Sequence, residues 1–441
     1  MTLPDRDDVS RREFLQAAVA VGGAVGLSAC LEESGGGDGI EQVDAPMGGD
    51  QDSLPVRQHA WNDVLDRDAD GNVDPPDHQV LAELSLTSDA EQSADGPPTD
   101  AARETVEATF RELEQAIAWQ TDGLLFTAGY TPSYFDRYDA SLPDSIDLPE
   151  PQALTSLEIP ETMDFDTHDL TVHLASDDPA VVLAAEEALL GNRGTLNGHE
   201  MATTVDGVLE EVSRKTGFVG PGLVAEKQAE GDIGGLPEHD IHEEAPFWMG
   251  YRSGFQESQA SEDFVTIEDG PFAGGTTQHL ESDRLQLGAW FDQDSHHERV
   301  SKLFSHVHAD EERVGEFGEK LTTSTNVLPL AEETAEDARD PGVVGHAQKA
   351  ARARVGGEPP LLRRDFNTTD GDYPGVHFLS LQDGISTFVR VREAMAGEDL
   401  AQNGAVGSRQ NNGILQYLSV LSRGNYLLPP RSLRALPEPN P

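Results

Sequence analysis

A single cysteine, Cys30, in 441 residues excludes an intramolecular disulfide framework and any cysteine-based zinc site. Lysine is scarce too: arginine supplies nearly all of the 30 basic residues, which face 81 Asp and Glu for a formal net charge of -51. A phosphate backbone would be repelled by such a chain, so nucleic acid is excluded as a partner. Self-repulsion on this scale strains a compact state at ordinary ionic strength. In molar salt the Debye length falls to about 3 Å, so the acidic surface reads as an adaptation to extreme salinity rather than as a site for a cationic partner. A membrane-spanning run is also missing. The apolar stretch from Ala17 to Leu27 is shorter than the about 20 residues that cross a bilayer.

What stands at the N-terminus is a processing signal. Ser10-Arg11-Arg12-Glu13-Phe14-Leu15 precedes that weakly hydrophobic stretch, which ends in Leu27-Ser28-Ala29-Cys30. A paired arginine ahead of such a segment marks the twin-arginine export route, and the small residues before Cys30 resemble a lipobox. Arg11 and Arg12 are therefore read as the export signal and Cys30 as the lipidation site. The expected location is the outer face of the cytoplasmic membrane, held by the lipid anchor only. Residues 1–30 form the signal, and 31–58, opening with the Gly- and acid-rich LEESGGGDG, a flexible linker.

The rest is long enough for one large or two medium cores. Gln79 to Leu86 alternates apolar and polar residues as a half-buried strand does. Thr99 to Trp119 carries apolar residues at helical spacing, and Asp122 to Thr127 reads as a buried strand. Asp169 to Ala175 is a strand, Ser176-Asp177-Asp178-Pro179 caps a helix over Ala180 to Leu190, and Val205 to Val212 suits another strand. Strand-helix-strand given twice reads as a ferredoxin-like unit. The second half repeats it: Thr277 to Phe291 extended, His296 to Ser305 helical, Gly375 to Gln382 a strand, Ile385 to Ala396 a helix, and Gly413 to Leu421 a last amphipathic helix. The expected fold is α+β, with ferredoxin-like halves over 59–216 and 217–441.

Several segments of the second half, in order, resemble the dye-decolorizing peroxidases, haem proteins of the dimeric α/β-barrel superfamily. Gly250-Tyr251-Arg252-Ser253-Gly254 is similar to their Gly-x-x-Asp-Gly signature, with Ser253 at the aspartate position. Gly270 to Thr276, Gly345-His346 ahead of Arg352, and Leu361-Leu362-Arg363-Arg364 follow, then Gly375 to Phe388 and Arg423-Gly424-Asn425-Tyr426 with Pro429-Pro430. In the first half, Asp169 to Leu190 resembles the family's strand-Asp-Asp-Pro-helix unit. The likeness covers roughly residues 55 to 435.

The resemblance implies haem b as cofactor, hydrogen peroxide as oxidant and an unidentified reductant. His346 takes the axial position, a role imidazole commonly fills. Arg363, or Arg364 if the register slips by one, supplies the distal cation. The departure is Ser253, since a hydroxyl is no useful base near neutral pH. Glu257, Glu262 and Asp263, nearby in sequence, are the candidates to substitute for the aspartate. The alternative is a non-catalytic extracellular haem- or ligand-binding lipoprotein. A homo-oligomer is allowed in either case.

Two further patterns carry less. Asp66-Arg67-Asp68-Ala69-Asp70-Gly71-Asn72-Val73 matches the start of a calcium loop, but Asp77 stands where glutamate is expected and Pro75-Pro76 would break the exiting helix. His239, His242, His296, His297, His306 and His308 are read as a solvated face, because none shows the spacing of a zinc helix.

Overall fold

The computed structural model describes residues 43–87, 96–156, 158, 162–401 and 405–441. Arg11, Arg12 and Cys30 lie outside these residues. Among the described residues no helix is long and apolar enough to cross a membrane.

The first half runs β1 (His78–Leu86), α1 (Asp100–Ala116), β2 (Leu125–Tyr130), β3 (Leu170–Ser176), α2 (Pro179–Leu189) and β4 (Leu209–Phe218). Its antiparallel order, β4-β1-β3-β2, is the ferredoxin-like arrangement. Thr99 caps α1 by accepting from the Ala102 amide, and Asp178 caps α2 with Pro179 in the first turn. Both helices cover one face of the sheet. Val80, Ala82 and Leu84 of β1 pack there with Val106, Phe110, Val181 and Leu183. β1 was expected to be half-buried, yet nearly every residue of it is buried. The reason is that its other face is covered as well.

That cover is the second half, which pairs edge to edge with the first. It contains β5 (Thr276–Leu285), α3 (His346–Ala351), β6 (Phe366–Thr368), β7 (Gly375–Gln382), α4 (Ile385–Ala396) and β8 (Leu418–Leu428), in the order β6-β7-β5-β8. Asn367 of β6 pairs with Phe218 of β4, and Leu427 of β8 with Tyr130 of β2. Both seams are antiparallel, each a single residue pair, and they close a ring of strands. Leu81, Leu280, Phe366, Leu379, Leu381, Tyr426 and Leu428 fill its interior.

The helix expected over Gly413 to Leu421 is absent. Gly413 has φ +64, and the chain from Leu418 becomes β8, paired with β5 along its length. A local apolar pattern suited either element, and non-local pairing decided it. Val205 to Val212 and Asp122 to Thr127 were each placed a few residues early, since the strands are Leu209–Phe218 and Leu125–Tyr130.

Candidate functional site

The outer face of the second half carries the chemistry. On β5, Glu281 stands opposite Phe378 of β7 and Arg423 of β8, so these side chains share one face. α4 covers part of that face with Phe388, Val391 and Arg392. Beside it lies a cavity of about 260 Å³ lined by Trp248, Phe304, Phe378, Val391, Ile414 and other apolar groups. His346, Ser253, Arg363 and Asp365 also line it.

His346 is the first residue of α3, and its placement follows from its neighbours. A Cβ on Gly345 would collide with the Phe304 carbonyl oxygen, and one on Gly413 would lie 3.1 Å from His346 Cα. Glycine lets both segments approach. Lys349, one turn further along, is fully buried and donates to Asn412 Oδ1 at 2.6 Å, to the Asn412 carbonyl at 3.0 Å and to the Met395 carbonyl. These bonds tie α3 to the Asn412-Gly413 segment. Burial, then the charges of Lys349, Arg363 and Arg392, lower the His346 pKa to about 3, so its ring is neutral. Its Nδ1 is buried without a hydrogen-bond partner.

The residues around Ser253 are held from the first half. Arg252 pairs with Asp68 at 2.9 Å and with Asp74 at 2.5 Å, and donates to the Val73 carbonyl at 3.1 Å. Asn72 accepts from the Gln256 amide at 2.9 Å. The calcium-loop pattern is thus a clamp. Asp68 Oδ1 is taken by the amides of Asp70 (3.0 Å) and Asn72 (2.8 Å), and Oδ2 by Arg252. Its charge is already answered without a cation.

The two arginines of this segment point to different surroundings. Arg363 lines the cavity, whereas Arg364 points away, 3.0 Å from Glu262 and over the Trp61 ring. Asp365, two residues beyond Arg363 in the extended link between two short strands, also lines the cavity. Ser253 Oγ donates to Asp365 Oδ2 at 3.2 Å, and Asp365 Oδ1 is buried without a partner. The three nearby carboxylates proposed as substitutes are engaged elsewhere. Glu262 also accepts from the Trp61 and Asn62 amides, Asp263 is exposed beside Arg57, and Glu257 accepts from Thr323. None of them lines the cavity. Sequence reasoning passed over Asp365, although its spacing from Arg363 was the available signal.

The histidines outside the cavity do not form a metal centre. His297 faces Asp310, His239 stacks on Phe291 and His242 tilts against Phe317. His308 departs from the solvated face expected, being fully buried with Nδ1 2.8 Å from Ser305 Oγ. Among the described residues, the one group of three close metal-type ligands is Glu83, Asp166 and His168, near the ring interior. Lys215 already bonds Glu83 and lies 3.5 Å from Asp166, supplying the positive charge a cation would bring.

Comparison with known proteins agrees with this architecture. No curated protein matches the chain. Solved structures that match include DypB from Rhodococcus jostii RHA1, with 13% identity over 82% of this chain and 96% of that one, TM-score 0.50. A DypB variant in complex with manganese matches with 13% identity over 87% and 99%, TM-score 0.50. A dye-decolorizing protein from V. cholerae has 12% identity over 85% and 98%, TM-score 0.49. At such identities the likeness is one of fold, that of the dye-decolorizing peroxidases. By sequence, the chain belongs to a family of unknown function (DUF7405), whose model matches residues 76–430.

Proposed function

We propose that the chain binds haem b in the His346 cavity and catalyses peroxidase-type oxidation, with hydrogen peroxide as oxidant and a separate electron donor. One observation carries this reading: His346, neutral and with an unpartnered buried Nδ1, shares a largely apolar cavity with Arg363 on a dye-decolorizing peroxidase fold. The donor set fits the group. His346 would hold the iron, the aromatic and aliphatic walls suit an apolar macrocycle, and Arg252, Arg354, Arg363 and Arg392 also line the space.

When bound, haem supplies an iron centre that relays electrons from donor to peroxide. The protein's share is to hold that centre, exclude water and place a cation where negative charge develops on the departing oxygen. Arg363 fills the last role.

The mature domain, purified with haem supplied, is expected to show a Soret band at one haem per chain that changes on adding peroxide. A band indifferent to peroxide would leave a haem carrier, and a folded domain with no band would refute the cofactor assignment.

Residues 1–30 are proposed to direct twin-arginine export, with a lipid on Cys30 tethering the domain at the outer face of the membrane. The support is the segment Ser10 to Cys30 itself. Cys30→Ser is expected to shift the exported protein from the membrane fraction to the medium. An unchanged membrane fraction would count against the anchor.

A further inference from the structure

We propose that the proton-relay carboxylate of this cavity is Asp365, held by Ser253, the residue at the aspartate position of the Gly-x-x-Asp-Gly pattern. This rests on the haem reading above and adds the residue that moves the proton. Ser253 stands where the resemblance puts the signature aspartate yet is not itself a base. Its hydroxyl donates at 3.2 Å to a carboxylate arriving from another part of the chain. The cavity thus keeps a carboxyl group beside the signature loop, attached two residues after Arg363.

Three observations support the assignment. The bond to Ser253 occupies Oδ2 alone, and Oδ1 is buried without any partner. A buried carboxylate oxygen left unsatisfied carries a cost unless a ligand or water completes it. Asp365 also lines both the His346 cavity and an adjoining one of about 530 Å³, lined by Asn62, Asp77, Phe264 and Glu358. Ser253, Arg252 and Arg363 are shared by the two as well. A group at that junction meets whatever passes between the spaces. Finally, burial raises the Asp365 carboxyl to about 6, against the opposing pull of Arg363, of the Ser253 hydrogen bond and of the Leu379 backbone. Such a group exchanges protons readily near neutrality, as acid–base catalysis requires.

Over one turnover, hydrogen peroxide takes two protons and, by way of the haem, two electrons from the donor, and becomes two waters. Asp365 handles the proton that moves as the O–O bond breaks heterolytically. It accepts that proton from one peroxide oxygen and delivers it to the other, which leaves as water with the bonding pair. The carboxylate ends as it began. Arg363 stabilises the charge on the departing oxygen meanwhile.

Two other carboxylates line the same cavity. Glu281 is engaged by Arg423 at 2.5 Å and lies 3.8 Å from Arg392. Asp283 is the rival, because its Oδ1 is also buried without a partner. Burial, with the neighbouring Glu281, pushes its carboxyl above the ordinary carboxylate range and favours its protonated form, which makes it the poorer acceptor.

The test compares the haem-loaded wild type with Asp365→Asn, Asp283→Asn and the double exchange Ser253→Asp/Asp365→Asn. Haem stoichiometry and the resting Soret band report the site. The rate of the peroxide-driven spectral change and the rate of cyanide binding report proton transfer, since hydrogen cyanide must give up its proton as it binds. Asp365→Asn is expected to keep one haem per chain while both rates fall, the peroxide rate by about 10²–10⁴-fold. The double exchange is expected to restore part of the loss. Wild-type rates in haem-loaded Asp365→Asn, or a loss that appears in Asp283→Asn instead, would overturn the assignment. A wild type that takes up no haem would overturn the functional reading itself, and this assignment with it.

Discussion

His346→Ala is expected to lower haem content from about one per chain to near zero while the fold persists. The imidazole is the one histidine ring lining the cavity, and an iron centre needs an axial donor of that kind. The fold should survive because α3 is anchored by other groups. Gln348 donates to Asp337 at 2.6 Å and to the Leu330 carbonyl at 2.8 Å, and Lys349 holds Asn412. The truncation also removes a buried, unpartnered nitrogen, which limits its cost. Haem per chain would be read from the Soret absorbance, with circular dichroism as the control for folding. Added imidazole should return part of the band by occupying the vacated space. Full haem content with an unchanged spectrum in His346→Ala would move the ligand to another residue.

Much of the architecture behind that prediction was legible one segment at a time. Gly375–Gln382 and Ile385–Ala396 are found where alternation and helical spacing put them. The repeated strand-helix-strand order pointed to two ferredoxin-like units. Ring closure was not legible, because it depends on pairing Asn367 with Phe218 and Leu427 with Tyr130, residues far apart in the chain. The same non-local pairing turned the presumed last helix into β8. At the site, the segments bearing His346 and Arg363 could be picked out by resemblance. The hydrogen-bond partner of Ser253 was not legible, because a serine on a loop meets its partner across space rather than along the sequence. Glu257, Glu262 and Asp263 are near in number but engaged elsewhere, and Asp365 comes from a segment more than a hundred residues on.

Arg423→Leu is expected to cost the fold about 3–5 kcal/mol, the usual penalty for removing one partner of a buried ion pair, from a total that is typically about 5–15 kcal/mol. Arg423 is 1% exposed on β8. Its guanidinium meets both Glu158 oxygens at 3.0 Å, Glu281 at 2.5 Å and the Gln152 carbonyl at 2.6 Å. Arg392 is the second cation of the group, 2.9 Å from Glu158 but 3.8 Å from Glu281. Without Arg423, Glu281 would keep only that longer contact and a histidine, His279, at 3.4 Å.

The pH dependence separates this electrostatic cost from lost packing. Burial alone would raise both carboxyls, and the two arginines overcome it, holding Glu158 and Glu281 below the ordinary 4.5. A depressed folded value contributes stability in full above the unfolded pKa and loses it as pH falls through the folded one. In the wild type these groups therefore favour folding at neutral pH and contribute less in acid. In Arg423→Leu burial dominates at Glu281, its folded value rises, and the sign reverses: the penalty is greatest at neutral pH and relieved as the carboxyl takes up a proton. Denaturant midpoints near pH 7 and near pH 5 should show a large deficit at the first and a smaller one at the second. An equal deficit at both would assign the loss to packing of the arginine stem, and an unchanged midpoint near pH 7 would show that Arg392 alone suffices for two buried carboxylates.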